Sequence, residues 1–189
     1  MNCIDEIIRN IKADLRAAMN GVASKRIREC GMPYKLAFGV ELPRLQEIAA
    51  AYQPDHTLAL RLWQENVREC RILATMLHPK DTFYPELADL WVEELRKEDV
   101  EVVQQLVFHL LSHTPYASDY AFRWMASDQP VHQLCGFLII GNLLRRGSQL
   151  SPDAANEFVD QVRATIDTDW LPLRKAVQNA LLFYEEASM

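Results

Sequence analysis

A chain of 189 residues with 49% hydrophobic and 24% charged content holds enough apolar material for one sizeable core, or for about four or five stacked helical pairs. Its 26 acidic and 20 basic residues leave a net charge of −6, which excludes a surface that grips phosphates everywhere but leaves room for a local basic groove. Cys3, Cys30, Cys70 and Cys135 stand far apart with no CxxC pair, and no apolar run approaches the roughly 18 residues of a membrane helix; reduced thiols, no membrane and a cytoplasmic location are expected.

In chain order, residues 3–19 carry Ile4, Ile7, Ile8, Ile11, Leu15 and Met19 at helical spacing, and Asn20-Gly21 stops that helix. A dense basic stretch follows, Lys25, Arg26 and Arg28, then a Gly- and Pro-containing segment over 31–40 that reads as a loop or broken helix. Glu41-Leu42-Pro43 opens a helix through Tyr52. From there the pattern is regular: 55–64 with 66–78, 84–96 with 99–113, 116–126 with 129–146, and 151–166 with 170–185. The period of about thirty-odd residues is that of two-helix solenoids, and no strand-like alternation interrupts it. The expectation is a single all-α domain over 1–189, a curved α-α superhelix of HEAT-like repeats, with atypical helices over 1–54 and four helix pairs over 55–186. Its core should include Val67, Leu73, Leu77, Leu106, Leu110, Phe137, Ile140, Ala176 and Leu181. Carboxylates at the breaks between helices, such as Glu65, Asp99 and Asp128, suit helix N-termini.

In such a stack the second helix of each pair lines the concave side. The expected wall carries Arg68, Glu69 and Arg71, then Glu101, Gln104, Gln105 and His109, then His132 and Gln133, and finally Arg174, Lys175, Gln178 and Asn179. It is mixed and amide-rich. Glu69 and Arg71, two apart, cannot face each other on one helix and are expected to pair with neighbouring repeats.

Phe38-Gly39-Val40 with Pro43-Arg44-Leu45, then Leu62-Trp63, then Glu69-x-Arg71-x-x-Ala74, resemble the N-terminal half of the DNA alkylation repair proteins, and Leu173-Arg174-Lys175-Ala176-Val177 resembles their last-repeat motif. These are HEAT-like-repeat DNA glycosylases that excise alkylated purines. The resemblance spans roughly residues 30–185. It implies a Trp and an Asp one turn apart on an inner helix, with a second Trp after the Arg-Lys-Ala segment. The Asp would stabilise the cationic sugar, and the Trps would cradle the nucleotide. In this sequence the first Trp position is Val100 or Glu101, the Asp position is Gln104 or Gln105, and the second Trp position is Asn179. The family's Arg-rich helix start is here Pro130-Val131-His132-Gln133. A neutral amide does not replace a carboxylate that faces developing positive charge.

Other candidate chemistry is sparse. His109 and His113 sit one turn apart without a third ligand, so no metal and no cofactor are expected. Trp63, Trp91 and Trp124 lie in apolar helix patterns and read as core, with Trp170 less determined. Cys70 and Cys135 read as buried small hydrophobes. Lys25, Arg26, Arg28, Lys35 and Arg44, with Tyr34 and Phe38 interleaved, could form a phosphate-binding patch. Three readings follow: a catalytically degenerate relative that keeps its concave groove for DNA, an active glycosylase whose carboxylate has moved to Glu101, and a protein-interaction scaffold.

Overall fold

The computed structural model describes residues 3–32 and 34–187, Cys3 by its backbone alone; the thiol of Cys3 and the whole of Pro33 lie outside the described residues. Within that range the chain is helical throughout, with eleven α-helices and three short 3-10 turns. Its only β-type pairing among the described residues is an isolated parallel bridge between Leu36 and Val67. The chain falls into two compact units, residues 1–84 and 85–189.

The first unit holds α1 (Cys3–Ala17), α2 (Gly21–Glu29), α3 (Leu42–Ala50), α4 (His56–Gln64) and α5 (Arg68–Leu77). On α1 the buried stripe is Ile8, Ile11 and Leu15. Met19 is 54% exposed, because the helix ends at Ala17 and no longer carries it onto that stripe. Asn20 caps α2, its Oδ1 accepting from the N–H groups of Val22 and Ala23 at 3.1 Å each. The basic stretch is therefore a helix in its own right. α4 and α5 fold back on each other, and α3 packs on α5. Asp55 starts α4 by accepting from Leu58 N–H at 2.7 Å. Trp63, Cys70, Leu73 and Leu77 are buried between them.

The second unit holds α6 (Pro85–Glu93), α7 (Val100–His109), α8 (Ala117–Met125), α9 (Pro130–Arg145), α10 (Pro152–Thr165) and α11 (Leu171–Ala187). α9 is apolar on nearly every side, and a helix of that composition is buried rather than amphipathic. It packs against α8, its hairpin partner, and also against α7 and α11. The second helices of successive pairs are thus neighbours within this unit, as a repeat stack requires. Gly136 makes the α8 contact possible: a Cβ there would lie 2.7 Å from both Ala121 O and Met125 N.

Eight of the nine expected core residues are buried. Leu181 is the exception and is half-buried. α11 meets α9 through Ala180, whose carbons would lie 3.6 Å from a Cβ on Gly141, and that close approach turns Leu181 aside. The junction carboxylates were expected at helix N-termini, and Asp99 does stand at the N-cap of α7, but none of Glu65, Asp99 and Asp128 makes a side-chain capping bond to the helix that follows. Glu65 pairs with Lys12 at 2.8 Å, and α5 begins at Arg68 behind Val67, which offers no side-chain cap. α7 and α9 likewise start without one. Asp99 instead takes Arg96 N–H at 2.8 Å, closing a 3-10 turn ahead of α7.

Candidate nucleic-acid interface

In the first unit the two motif segments Phe38-Gly39-Val40 and Glu69-x-Arg71 form one structure. The Glu69 carboxylate is 0% exposed. Its Oε2 accepts from Phe38 N–H at 3.0 Å, and Oε1 from Gly39 N–H at 2.9 Å and Val40 N–H at 3.4 Å. The same Oε1 accepts from Arg68 Nη1 at 2.8 Å, and Arg68 reaches on to the Val40 carbonyl at 3.3 Å. Gly39 has φ +71, and a Cβ there would lie 2.5 Å from Ser24 N, so this turn accepts only glycine. Ser24 fastens α2 to the same segment by donating to Ala37 O at 2.6 Å.

Glu69 therefore organises a loop of its own unit. Its partners are backbone N–H groups and its sequence neighbour, not a side chain of an adjacent repeat as expected. Arg68 and Glu69 are buried and do not face a groove. Arg71 is half-buried, with its guanidinium 5.2 Å from the Trp63 ring centroid and 5.8 Å from that of Tyr34, a cation–π arrangement.

The basic residues of α2 are on the surface. Lys25, Arg26 and Arg28 are exposed, Lys25 lying 3.7 Å from Glu29. Lys35 and Arg44 are exposed too, and Arg44 pairs with Glu47 at 2.6 Å. Tyr34 is half-buried.

In the second unit, α7 places Glu101 half-buried in its first turn, Gln104 exposed, and Gln105 half-buried with Oε1 3.1 Å from His109 Nε2. Gln105 is thus engaged along its own helix. At the start of α9, His132 and Gln133 are half-buried. The His132 ring lies edge-on to Trp124 at 5.8 Å, and its Nδ1 is buried without a hydrogen-bond partner among the described residues. Burial lowers the His132 pKa from 6.5, with Glu93 pulling the other way, so the neutral ring is favoured.

On α11, Arg174 is half-buried and donates twice to Thr168 O, from Nε at 2.9 Å and from Nη2 at 2.6 Å. It locks the turn that precedes its own helix. Lys175, Gln178 and Asn179 are exposed. Trp170 is half-exposed, with Lys97 Nζ 5.7 Å from its ring centroid. Trp63, Trp91 and Trp124 are each 2% exposed and serve the core.

Sequence reasoning missed two features. One is the burial of Arg68, which helical spacing put on the polar side. The other is a cleft of about 390 Å³ bordered by α1 and the 35–38 loop. Only the spacing of Lys12 and Arg16, one turn apart on α1, could have hinted at it. Among the described residues no group of three His, Cys, Asp or Glu side chains could hold a metal ion. No helix among the described residues is long and apolar enough to cross a membrane.

Helix pairs stacked through their second helices, with a polar face along them, define a HEAT-like-repeat protein. The comparison with known proteins makes that specific. Residues 11–181 match the DNA alkylation repair enzyme family, and the chain belongs to that family. A solved structure superposes with a TM-score of 0.76 at 20% identity, over 95% of this chain and 79% of the other. That protein is described as one of a new family related to the HEAT-like repeat DNA glycosylases, with affinity for branched DNA structures. The likeness establishes the HEAT-like-repeat fold. No curated protein matches the chain significantly.

Proposed function

We propose that this chain is a catalytically degenerate member of the DNA alkylation repair family that binds DNA, branched DNA in particular. The observation that carries the first half is α7, where both candidates for the Asp position are neutral amides, Gln104 exposed to solvent and Gln105 bonded to His109. Cleavage of a glycosidic bond builds positive charge on the sugar. Removing a preorganised group that stabilises transition-state charge typically costs about 3–4 kcal/mol, or two to three orders of magnitude in rate. The exposed Asn179 offers no ring on which a nucleotide could stack.

The DNA half is supported by family membership and by the affinity described for the structural relative. It is supported too by the exposed Lys25, Arg26 and Arg28 on one short helix of a chain whose net charge is −6. Within the second unit, Gln104, Gln133, Lys175 and Asn179 are the groove residues proposed to contact DNA, with Tyr34 beside the basic helix of the first. Arg174 is proposed to act indirectly, by holding the turn at Thr168.

Two assays decide. Base release from methylated duplex DNA should not exceed spontaneous loss; release well above it, abolished by Glu101→Gln, would establish the alternative in which the carboxylate has moved. Binding to a four-way junction should exceed binding to linear duplex of the same length and weaken steeply with salt. Absence of DNA binding at any salt would favour the protein-scaffold reading.

A further inference from the structure

The cleft in the first unit combines an apolar floor with a positively charged rim. Its floor is apolar, formed by Leu36, Phe38 and Val67. Its rim carries three cations, Lys12, Arg16 and Lys35, against one carboxylate, Glu65. Lys12 is paired with that carboxylate at 2.8 Å. Arg16 and Lys35 have no ion pair among the described residues, so two positive charges are left over beside an apolar surface. That surplus makes the rim locally positive on a chain with a net charge of −6, and a local positive potential attracts an anion.

The cleft is also tied together at its base by hydrogen bonds. Leu36 N–H donates to Asn66 O at 3.3 Å, Arg68 N–H donates to Leu36 O at 3.4 Å, and Asn66 Oδ1 accepts from Lys35 N–H at 3.2 Å. These bonds tie the 35–36 segment to 66–68, and the latter leads into α5 under the buried Glu69. With Oδ1 committed, the amide nitrogen of Asn66 is left as a donor at the cleft. Leu36 is 43% exposed, an apolar side chain held in the open by its own backbone bonds.

We infer that this cleft is a binding site for one nucleoside monophosphate unit, with the base on Leu36, Phe38 and Val67 and the phosphate between Arg16 and Lys35. The chemistry is that of an amphiphilic anion: a flat apolar body needs a dry floor, and a phosphate needs unpaired guanidinium and ammonium groups. The volume of about 390 Å³ lies within the roughly 300–1,000 Å³ of small-ligand sites. On the reading that the protein binds branched DNA, the unit is an unpaired nucleotide extruded at the branch point. In paired DNA the bases are stacked away, and only the phosphate could reach the rim.

Thymidine 5′-monophosphate is the first probe, titrated into the intact chain and followed by ¹⁵N amide shifts. The expected result is saturable shifts at Arg16, Lys35, Leu36, Asn66 and Val67, weaker by about tenfold in Arg16→Gln/Lys35→Gln and much smaller for thymidine without its phosphate. No saturable shift at those amides overturns the cleft site, whatever the chain does with DNA. The second probe is a three-way junction with or without two unpaired thymidines at the branch. The wild type should prefer the unpaired junction, and Leu36→Trp, which fills the cleft without changing charge, should erase that preference while leaving the fully paired junction bound. Equal affinity for the two junctions, unmoved by Leu36→Trp, overturns extrusion into the cleft but leaves the branched-DNA reading standing. Mononucleotide binding without any junction binding instead removes the DNA reading and makes the ligand a free nucleotide.

Discussion

Glu69 offers the sharpest test of how the first unit is held together. Four donors converge on its fully buried carboxylate: the N–H groups of Phe38, Gly39 and Val40, and Arg68 Nη1 at 2.8 Å. Glu69→Gln keeps the shape but places an NH₂ where one oxygen stood, so at least one donor meets another donor. A hydrogen bond to a charged group is worth about 1.5–3 kcal/mol, and a buried orphan donor costs about 1–3 kcal/mol, so the expected loss is near 3 kcal/mol. Glu69→Ala leaves the buried Arg68 without its carboxylate and should cost about 3–5 kcal/mol. The assay is amide hydrogen exchange, which reads the unit locally. With tenfold per 1.4 kcal/mol, the Phe38, Gly39 and Val40 amides should exchange about a hundredfold faster in Glu69→Gln. Wild-type protection of those amides in Glu69→Gln, with stability within about 0.5 kcal/mol, would refute the reasoning.

Further expectations concern the second unit, pH and DNA. Gly136→Ala should cost about 1–3 kcal/mol, because its methyl would lie 2.7 Å from Ala121 O and Met125 N, whereas Gly141→Ala meets only ordinary contacts at 3.6 Å and should be neutral or stabilise by up to about 1 kcal/mol; urea melts compare them. His78 is buried, with Nε2 2.9 Å from His56 Nδ1 and Nδ1 2.7 Å from Pro79 O; desolvation lowers its pKa from 6.5, although the Pro79 bond opposes this. The unfolded chain then binds more protons than the folded one just below pH 6.5, so stability should be full above that pH and fall as acid is added, and histidine NMR should show His78 titrating below its unfolded value. Replacing Lys25, Arg26 and Arg28 by Gln should flatten the slope of log affinity for DNA against log salt by up to about 3 if each contacts a phosphate; an unchanged slope would remove α2 from the interface.

Much of the fold was legible because helix formation rests on local periodicity. The stripe through Val67, Cys70, Leu73 and Leu77 needs no partner to be recognised, and all four residues are buried. The same holds for the middle of α9, where the apolar run from Leu134 to Ile140 favours burial on several sides. Family membership was legible too, through the order of Phe38-Gly39-Val40, Glu69-x-Arg71 and Leu173-Arg174-Lys175 along the chain.

What the sequence could not determine is where each polar side chain spends its hydrogen bonds, since that depends on which backbone arrives from a distant segment. Glu69 was visible as a charge beside an apolar stripe, but the three N–H groups it receives come from about thirty residues upstream. Arg174 looked like a groove cation until the carbonyl of Thr168 turned back to meet it. Leu181 kept the right period yet lost its burial, because Ala180 lets α11 approach α9 at Gly141. The cleft between α1 and the 35–38 loop has only the Lys12–Arg16 spacing as a local signature: its apolar side exists because a parallel bridge pairs Leu36 with Val67, two segments that the sequence keeps apart. Periodicity decides which face of a helix is buried; only the tertiary structure decides what that face, and the charges beside it, are buried against.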